Sequence, residues 1–512
     1  MGYEQDFNLQ LFQMILCAEM KYFSLMRYFL LLIIVWFNGM GISDFSDDAA
    51  HGIHFIRQTD GLAFTLHYWK TNAPFFEPGT LNCANQDAKA ACEFPIFYFL
   101  TAKSFSIWGV DFGLLRLMHG LISIMGLFAL WGITGFFIRS IGFRLLVILS
   151  LFTVSVFNYY AFNFLPDTPA FSMVLLGCFF AMRYFFEDSK AHFFLSIAAF
   201  ALASLLKITF LIHPLALIMA FAWTQRQKPI VHFLVWLLLI LIPVFLWWFF
   251  VLKYNSTVGD TYFTTGPKGI WEMDGGQIYR VWEAVSKHWR NSYFPKYSWY
   301  GLGGMLIFLV AFWHKIQVVF RAWFLLLSLG GVCYALMFWQ QLEHHDYYFL
   351  NVLPWFLLVF LMFFHVLENS SIALRTRQIL IFLFCCFTVS SLVKAKDKMI
   401  WRMSERTEEE NPAWLAAELR QINPLAFESI ENEKLWVIGE KTKNGVFVHL
   451  QSQGITQPIQ FNDAFAQVAA GNGISRILLL SNEENALLRL KELGWRVIAE
   501  DKVHQTMLLD HP

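Results

Sequence analysis

The sequence predicts an α-helical polytopic membrane bundle of about 11–13 spans, followed by a small α/β domain. Three observations predict it. Hydrophobic residues make up 57% of the 512-residue chain and charged residues only 15%, whereas soluble domains carry about 25% charged residues. Apolar runs approaching the ~20 residues needed to cross a bilayer recur between residues 26 and 393. Past Lys394 the composition turns polar, with Lys396, Asp397, Lys398, Arg402, Glu405, Arg406 and the run Glu408-Glu409-Glu410. A zero formal net charge gives no basic surface for nucleic acid, so no nucleic-acid partner is expected.

The apolar runs fall at 26–42, 94–109, 114–138, 145–162, 168–186, 191–206, 208–223, 230–252, 301–313, 322–339, 347–366 and 376–393. The first follows Lys21 and Arg27 and lacks a small-residue cleavage site, so it reads as an uncleaved span. Five short connections are basic and read as cytoplasmic: Arg139 with Arg144, Arg183 with Lys190, Arg226 with Lys228, Lys315 with Arg321, and Arg375 with Arg377. The alternate connections then face outward. They include loop 43–93, the turns at Asp167 and Lys207, segment 253–300, the Glu343-His344-His345-Asp346 turn and everything after 394. Two regular crossings between 94 and 138 would carry Arg139 outside, so one crossing between 94 and 165 must be a half-helix, a pair of short helices or otherwise irregular.

Within segment 253–300, Ile278, Val281, Trp282, Val285 and Trp289 have helical spacing, which predicts an amphipathic interfacial helix over 277–289. The expected domains are a transmembrane unit at 1–395 and an outward α/β unit at 396–512. In the latter, strands are expected at 435–438, 474–480 and 495–509, and helices at 445–452, 463–470 and 483–493. Most of the seven cysteines lie in apolar runs, as small buried thiols do. Cys83 and Cys92 instead bracket part of an outward loop, and form a disulfide candidate if that compartment is oxidising.

Chemistry-bearing residues collect at the outward ends. Asp44, Asp47 and Asp48 follow the first run, Glu93 opens the second, Asp167 stands in Pro166-Asp167-Thr168-Pro169, and Lys207 interrupts an apolar stretch. His344, His345, Tyr347 and Tyr348 begin a late span. Carboxylates facing cationic and hydroxyl donors suit removal of a proton from a nucleophile while an anionic group leaves. Blander readings stand beside this one: a solvated turn for the aspartates, helix capping for Asp167, an aromatic belt for the tyrosines and edge anchoring for Arg116. A lone lysine among apolar residues needs an anion or a route to the interface.

The order of these motifs resembles the GT-C glycosyltransferases, in the family 39 branch that contains bacterial aminoarabinose transferases and protein O-mannosyltransferases. The resemblance rests on Asp47-Asp48-Ala49-Ala50-His51-Gly52-Ile53, Phe76-Glu77-Pro78, Glu93-Phe94-Pro95, Trp108-Gly109, Leu115-Arg116-Leu117, Pro166-Asp167-Thr168-Pro169, Leu206-Lys207 with His213-Pro214, and His345-Asp346-Tyr347-Tyr348 with Leu353-Pro354. It implies a GT-C-like bundle and an inverting transfer of a sugar from a polyprenyl-phosphate donor to a lipid, glycan or protein acceptor at the outer membrane face. It also implies a bacterial inner-membrane location.

The resemblance gives the general-base role to Asp47, with Asp48 and then Asp44 as the next candidates. Donor contacts are expected from Glu93, Asp167, Lys207, His344, His345, Tyr347, Tyr348 and Arg116. The chain departs from the family where Asp47-Asp48 replaces Asp-Glu and Glu93-Phe94-Pro95 replaces Lys-Pro-Pro. Glu93 therefore reads as an acceptor-orienting, metal-binding or helix-capping residue as much as a donor contact. No cofactor is certain. A divalent metal is an open option through Asp47, Glu93, Asp167 and His344, although no close-spaced ligand motif occurs. The alternative is a transporter, which would require paired broken helices in two related halves, a repeat the sequence does not display.

Overall fold

A computed structural model describes residues 27–42, 49–84, 88–187, 189–224, 229–263, 266–370, 372–404, 406–457, 473–480 and 484–510. The first apolar run forms α1 (Arg27–Gly39). The outer loop then folds into α2 (Phe55–Thr71), most of whose residues are buried. There follow α3 (Ile96–Trp108), α4 (Gly113–Phe137), α5 (Ile141–Phe152), α6 (Ser155–Tyr160), α7 (Asp167–Glu187), α8 (Lys190–Leu206), α9 (Ile212–Thr224) and α10 (Ile230–Val258). Among the described residues six helical stretches are long and apolar enough to cross a membrane, and the chain is a multi-pass membrane protein.

Between 94 and 165 the short helices are α3, α5 and α6. The run 145–162 breaks at Thr153-Val154 into α5, of 12 residues, and α6, of 6. At about 1.5 Å per residue neither alone crosses a ~30 Å hydrocarbon core. The 13-residue α3 is short for the same reason.

Segment 253–300 carries the expected amphipathic helix as α11 (Gly275–Glu283), capped by Asp274 through Gln277 and continued by π-helical turns over Ala284–Trp289 into α12 (Arg290–Tyr293). Then come α13 (Lys296–Ala311), α14 (Val318–Met337), α15 (Phe349–Asn369) and α16 (Leu374–Ser404). The last of these corrects the sequence reading, because the helix expected to end at 393 runs through the expected domain boundary to Ser404.

α7 and α15 form the centre of the bundle, with 72% and 83% of their membrane-length windows buried, whereas α10 has 28%. Leu238, Ile242, Phe245, Leu246 and Phe249 accordingly form an exposed apolar face on α10, suited to lipid. Small residues bring the central helices close. A Cβ on Gly126 of α4 would come within 2.7 Å of Ser172 on α7, and one on Gly177 within 2.5 Å of the Phe200 ring on α8.

After α17 (Asn411–Ile422) the tail forms β1 (Lys434–Ile438), α18 (Gly445–Leu450), β2 (Gln453–Gln457), β3 (Arg476–Leu479), the helix Glu484–Glu492, β4 (Arg496–Asp501) and β5 (Thr506–Asp510). The sheet order is β2-β1-β3-β5-β4. β1 pairs in parallel with β2 and β3, while β5 runs antiparallel to β3 and β4. One reading is corrected here. Expected strand 495–509 is a hairpin that turns at 502–505, and β2 (453–457) follows the expected helix 445–452 in residues to which no element was assigned. Expected helix 463–470 lies outside the described residues.

Alternate side chains of β1 divide between two cores, as strand geometry requires. Trp436 and Ile438 join Ile477, Leu479, Leu490 and Leu509. Leu435 and Val437 join α18 and the main core. α18 packs on α2, so the sheet is tied to the element that carries the first outer loop.

Candidate active site at the outer ends of the helices

A cavity of about 720 Å³ opens where α2, the break between α8 and α9, the turn before α15, the loop after α10 and the segment after α16 converge. α2 contributes His54 at its start and, one turn apart, Arg57 and Asp60. Arg57 is ion-paired with Glu93, and the Tyr98 hydroxyl donates to the same Glu93 Oε1 at 2.7 Å. Burial alone would raise the Glu93 carboxyl, but the Arg57 guanidinium beside it brings it down to about 2. Glu93 thus stands behind Arg57, whose side chain lines the cavity.

Asp60 accepts from Asn444 Nδ2 at 2.9 Å and from the Tyr262 hydroxyl at 3.2 Å. Its burial outweighs Arg57 and these donors, and pushes its carboxyl up to about 6. The polar tail and the membrane bundle therefore meet directly at the cavity, with Thr407 and Glu409 also in its wall.

Lys207 owes its position to a break in the chain. It is extended (φ −153°) between α8 and the 3₁₀ turn Ile208–Leu211. Its Nζ lies 3.0 Å from Asp167 Oδ1 and stacks 5.2 Å and 4.5 Å from the ring centroids of Tyr347 and Tyr348. Asp167 opens α7, where the helix dipole favours a carboxylate. Its other oxygen is buried without a hydrogen-bond partner among the described residues.

His54 Nε2 lies 2.9 Å from Asp346 Oδ1. Asp346 is fully buried and ion-paired with the equally buried Arg402. His345 stacks on Tyr348 at 5.5 Å, while His344 is largely exposed beside Glu343. Burial, with the neighbouring His54 and Lys207, lowers His345 to about 3, so it is neutral at pH 7.

Five residues expected to contact the donor or the acceptor therefore wall the cavity, namely Lys207, His344, His345, Tyr347 and Tyr348. Glu93 and Asp167 are brought to it through their cationic partners. Asp44, Asp47 and Asp48 lie outside the described residues. The segment that follows them is held by its backbone: Ala49 accepts from Arg116 Nη2 at 3.0 Å, and the Gly52 amide donates to Glu410 at 2.7 Å. Arg116, 4% exposed, also donates to the Phe162 carbonyl at 3.0 Å and stacks 4.2 Å over Phe164. It is not among the cavity-lining residues, which departs from the expected donor contact.

The expected Cys83–Cys92 disulfide is not formed. Cys83 packs with Ala88 and Ile455 and Cys92 with the main core, while the loop pairs Gly79 with Lys89 and Asn82 with Gly454 of β2. Of the proposed metal ligands, Asp47 lies outside the described residues, and Glu93, Asp167 and His344 form no ligand cluster among them. Glu93 and Asp167 face Arg57 and Lys207, and among the described residues the one clustered ligand trio, Glu418, Asp501 and His504, belongs to the tail.

Arg57, Asp60 and His54 carried no role in the sequence reading, because their i, i+3 spacing is that of any amphipathic helix face. That reading quoted Asp346 within a motif without assigning it a role. Arg402 carried no local signal.

A sequence model of the dolichyl-phosphate-mannose-protein mannosyltransferase family matches residues 91–248. No curated protein matches the chain. Among solved structures, ArnT from Cupriavidus metallidurans in the apo state is similar at TM-score 0.63 and 12% identity, over 94% of this chain and 98% of that one. The same protein bound to undecaprenyl phosphate gives 0.62 and 11%, over 94% and 97%. The archaeal oligosaccharyltransferase AglB from Archaeoglobus fulgidus, in complex with an inhibitory peptide and a dolichol-phosphate, gives 0.51 and 11%, over 93% and 74%. This chain has the GT-C fold and resembles the glycosyltransferases of family 39.

Proposed function

We propose that this chain is an inverting glycosyltransferase, moving a hexosyl or pentosyl group from a polyprenyl-phosphate donor to a lipid, glycan or protein acceptor at the outer face of a bacterial inner membrane. The observation that carries the reading is a junction at Tyr348. That residue lines both the cavity bearing Arg57 and Lys207 and an apolar cleft of about 380 Å³ walled by Trp299, Tyr334, Phe349, Val352 and Phe356. A molecule with an anionic head and a hydrocarbon tail fits such a junction. The undecaprenyl phosphate bound by ArnT and the dolichol-phosphate bound with AglB are of that chemistry, which supports the same class of carrier here.

Arg57 offers a planar fork and Lys207 a point charge to the phosphate, and both strengthen as negative charge grows on the leaving group. Asp47 serves as base: its carboxylate takes the acceptor proton while the acceptor attacks the anomeric carbon and the carbon–oxygen bond to phosphate breaks. The helices through α16, which ends at Ser404, form the transmembrane unit and the tail after it the outer unit. Glu409 lines the cavity and Asn444 donates to Asp60 in its wall, so the outer unit takes part in building the cavity.

The test is transfer of labelled sugar from native membrane lipid extracts, comparing purified wild type with Asp47→Asn. Transfer by wild type alone supports both the activity and the base. Near-normal turnover by Asp47→Asn rejects the base role, and uptake of solute by proteoliposomes without any transfer would favour a transporter.

A further inference from the structure

The backbone of His54 is left-handed at φ 60°, a conformation in which histidine, asparagine and aspartate are enriched among residues other than glycine. The imidazole turns Nε2 to Asp346 Oδ1. Arg402 donates to the other carboxylate oxygen and the Tyr160 hydroxyl to Oδ1 at 3.1 Å. Asp346 and Arg402 are both fully buried, and a buried ion pair is a poor stabilising device compared with well-packed apolar residues. It does fix an imidazole. A paired carboxylate only accepts, so Nε2 carries the hydrogen and Nδ1 is the nitrogen left to the cavity that His54 lines. Nδ1 has no partner among the described residues.

Charged and titratable groups surround the ring. α2 carries Arg57 and Asp60, the α8–α9 break Lys207, and the turn before α15 His344, His345 and Asp346. α6 adds Tyr160, α16 Arg402, and the segment after it Glu409. The nearest cavity cations are already balanced, Arg57 by Glu93 and Lys207 by Asp167. A second proton on His54 would therefore face Asp346 on one side and any bound anion on the other. The His54 ring lies 5.0 Å from Tyr347, which also stacks with Lys207. Imidazole and ammonium thus share one wall.

We propose that His54, oriented by Asp346, is a third contact for the carrier phosphate beside Arg57 and Lys207, and that it engages the phosphate in its protonated form. This rests on the glycosyltransferase reading for its ligand. Nδ1–H donates a hydrogen bond to a phosphate oxygen and no proton is transferred. As the carbon–oxygen bond breaks, its electron pair stays on the phosphate and the contact tightens. Asp346 is a positioning residue.

The test is binding of undecaprenyl phosphate to the full chain in nanodiscs, from pH 5.5 to 8.5, by wild type and His54→Asn. Asparagine adopts the left-handed conformation readily, so the fold is retained. The monoester's own ionisation is common to both proteins. Wild-type affinity should fall by roughly tenfold more than the variant's between pH 5.5 and pH 8.5. At pH 5.5 the variant should bind roughly tenfold more weakly than wild type. His54→Gly with added imidazole should regain part of the difference. Identical pH profiles for wild type and His54→Asn would overturn the assignment while leaving the carrier reading intact. No binding by wild type at any pH would overturn both. Binding with the expected pH profile but no sugar transfer would overturn the glycosyltransferase reading alone.

Discussion

Lys207 Nζ lies 3.0 Å from Asp167 Oδ1, joining the break between α8 and α9 to the first residue of α7. Asp167 is only 2% exposed, so removing the lysine leaves a buried carboxylate uncompensated, at a cost of about 3–5 kcal/mol. Lys207→Met should therefore lower both thermal stability and carrier binding. The double variant Asp167→Asn/Lys207→Met should recover much of the stability but not the binding. Thermal unfolding and undecaprenyl phosphate titration on the same preparations separate the two roles; equal recovery of both would make the pair structural.

Arg57 reaches the cavity with Glu93 and Tyr98 fixed behind it. Arg57→Ala should weaken donor binding by about 2–5 kcal/mol, the range for truncating a buried charge contact. Glu93→Gln keeps the shape and removes the charge. It should raise the donor KM by about tenfold, since the guanidinium loses its charged orienting partner, with a smaller change in kcat. An unchanged KM would return Glu93 to simple support of α3.

Arg116 serves the site at one remove, through the Ala49 and Phe162 carbonyls and the Phe164 ring. Lysine cannot make that planar, two-pronged contact. Arg116→Lys should reduce kcat by about tenfold, because the segment after Asp47-Asp48 loses its anchor, while carrier affinity stays near wild type. Loss of affinity without loss of kcat would contradict this.

Glu440 supplies a pH prediction. Burial raises its carboxyl from 4.5 to about 8, against the opposing Thr442 hydroxyl and Val446 amide that hydrogen-bond to it. A carboxyl raised in the folded state contributes stability in full below its unfolded value. That contribution is lost as pH rises from about 4.5 to about 8, at about 1.4 kcal/mol for each pH step of one between those limits. Glu440→Gln should match wild type near pH 4 and exceed it in unfolding temperature at pH 9. Parallel curves at both pH values would disprove the burial account.

The catalytic candidates were legible to different depths. Lys207, His344, His345, Tyr347 and Tyr348 could be picked out because polar residues at the ends of apolar runs stand out locally. Arg57 and Asp60 were harder to see, since one turn of α2 looks like any amphipathic surface until its partners are known. The Cys83–Cys92 bridge was misjudged for a related reason. Spacing of nine positions permits a bridge, but each thiol is drawn into a different core.

The sequence by itself determined the membrane class, the positions of most helices, the order of the motifs and the change to a sheet-bearing tail, because these depend on hydrophobicity and periodicity over one or two dozen neighbouring residues. Tertiary structure alone decided which charges meet. Glu93 answers Arg57 from 36 residues away, Arg402 answers Asp346 across 56, and Asn444 reaches Asp60 across 384. Burying any of these groups is costly without its partner, yet nothing in the local sequence names that partner. Only the packing of α2 against α18 and of α16 into the bundle brings them within hydrogen-bonding distance.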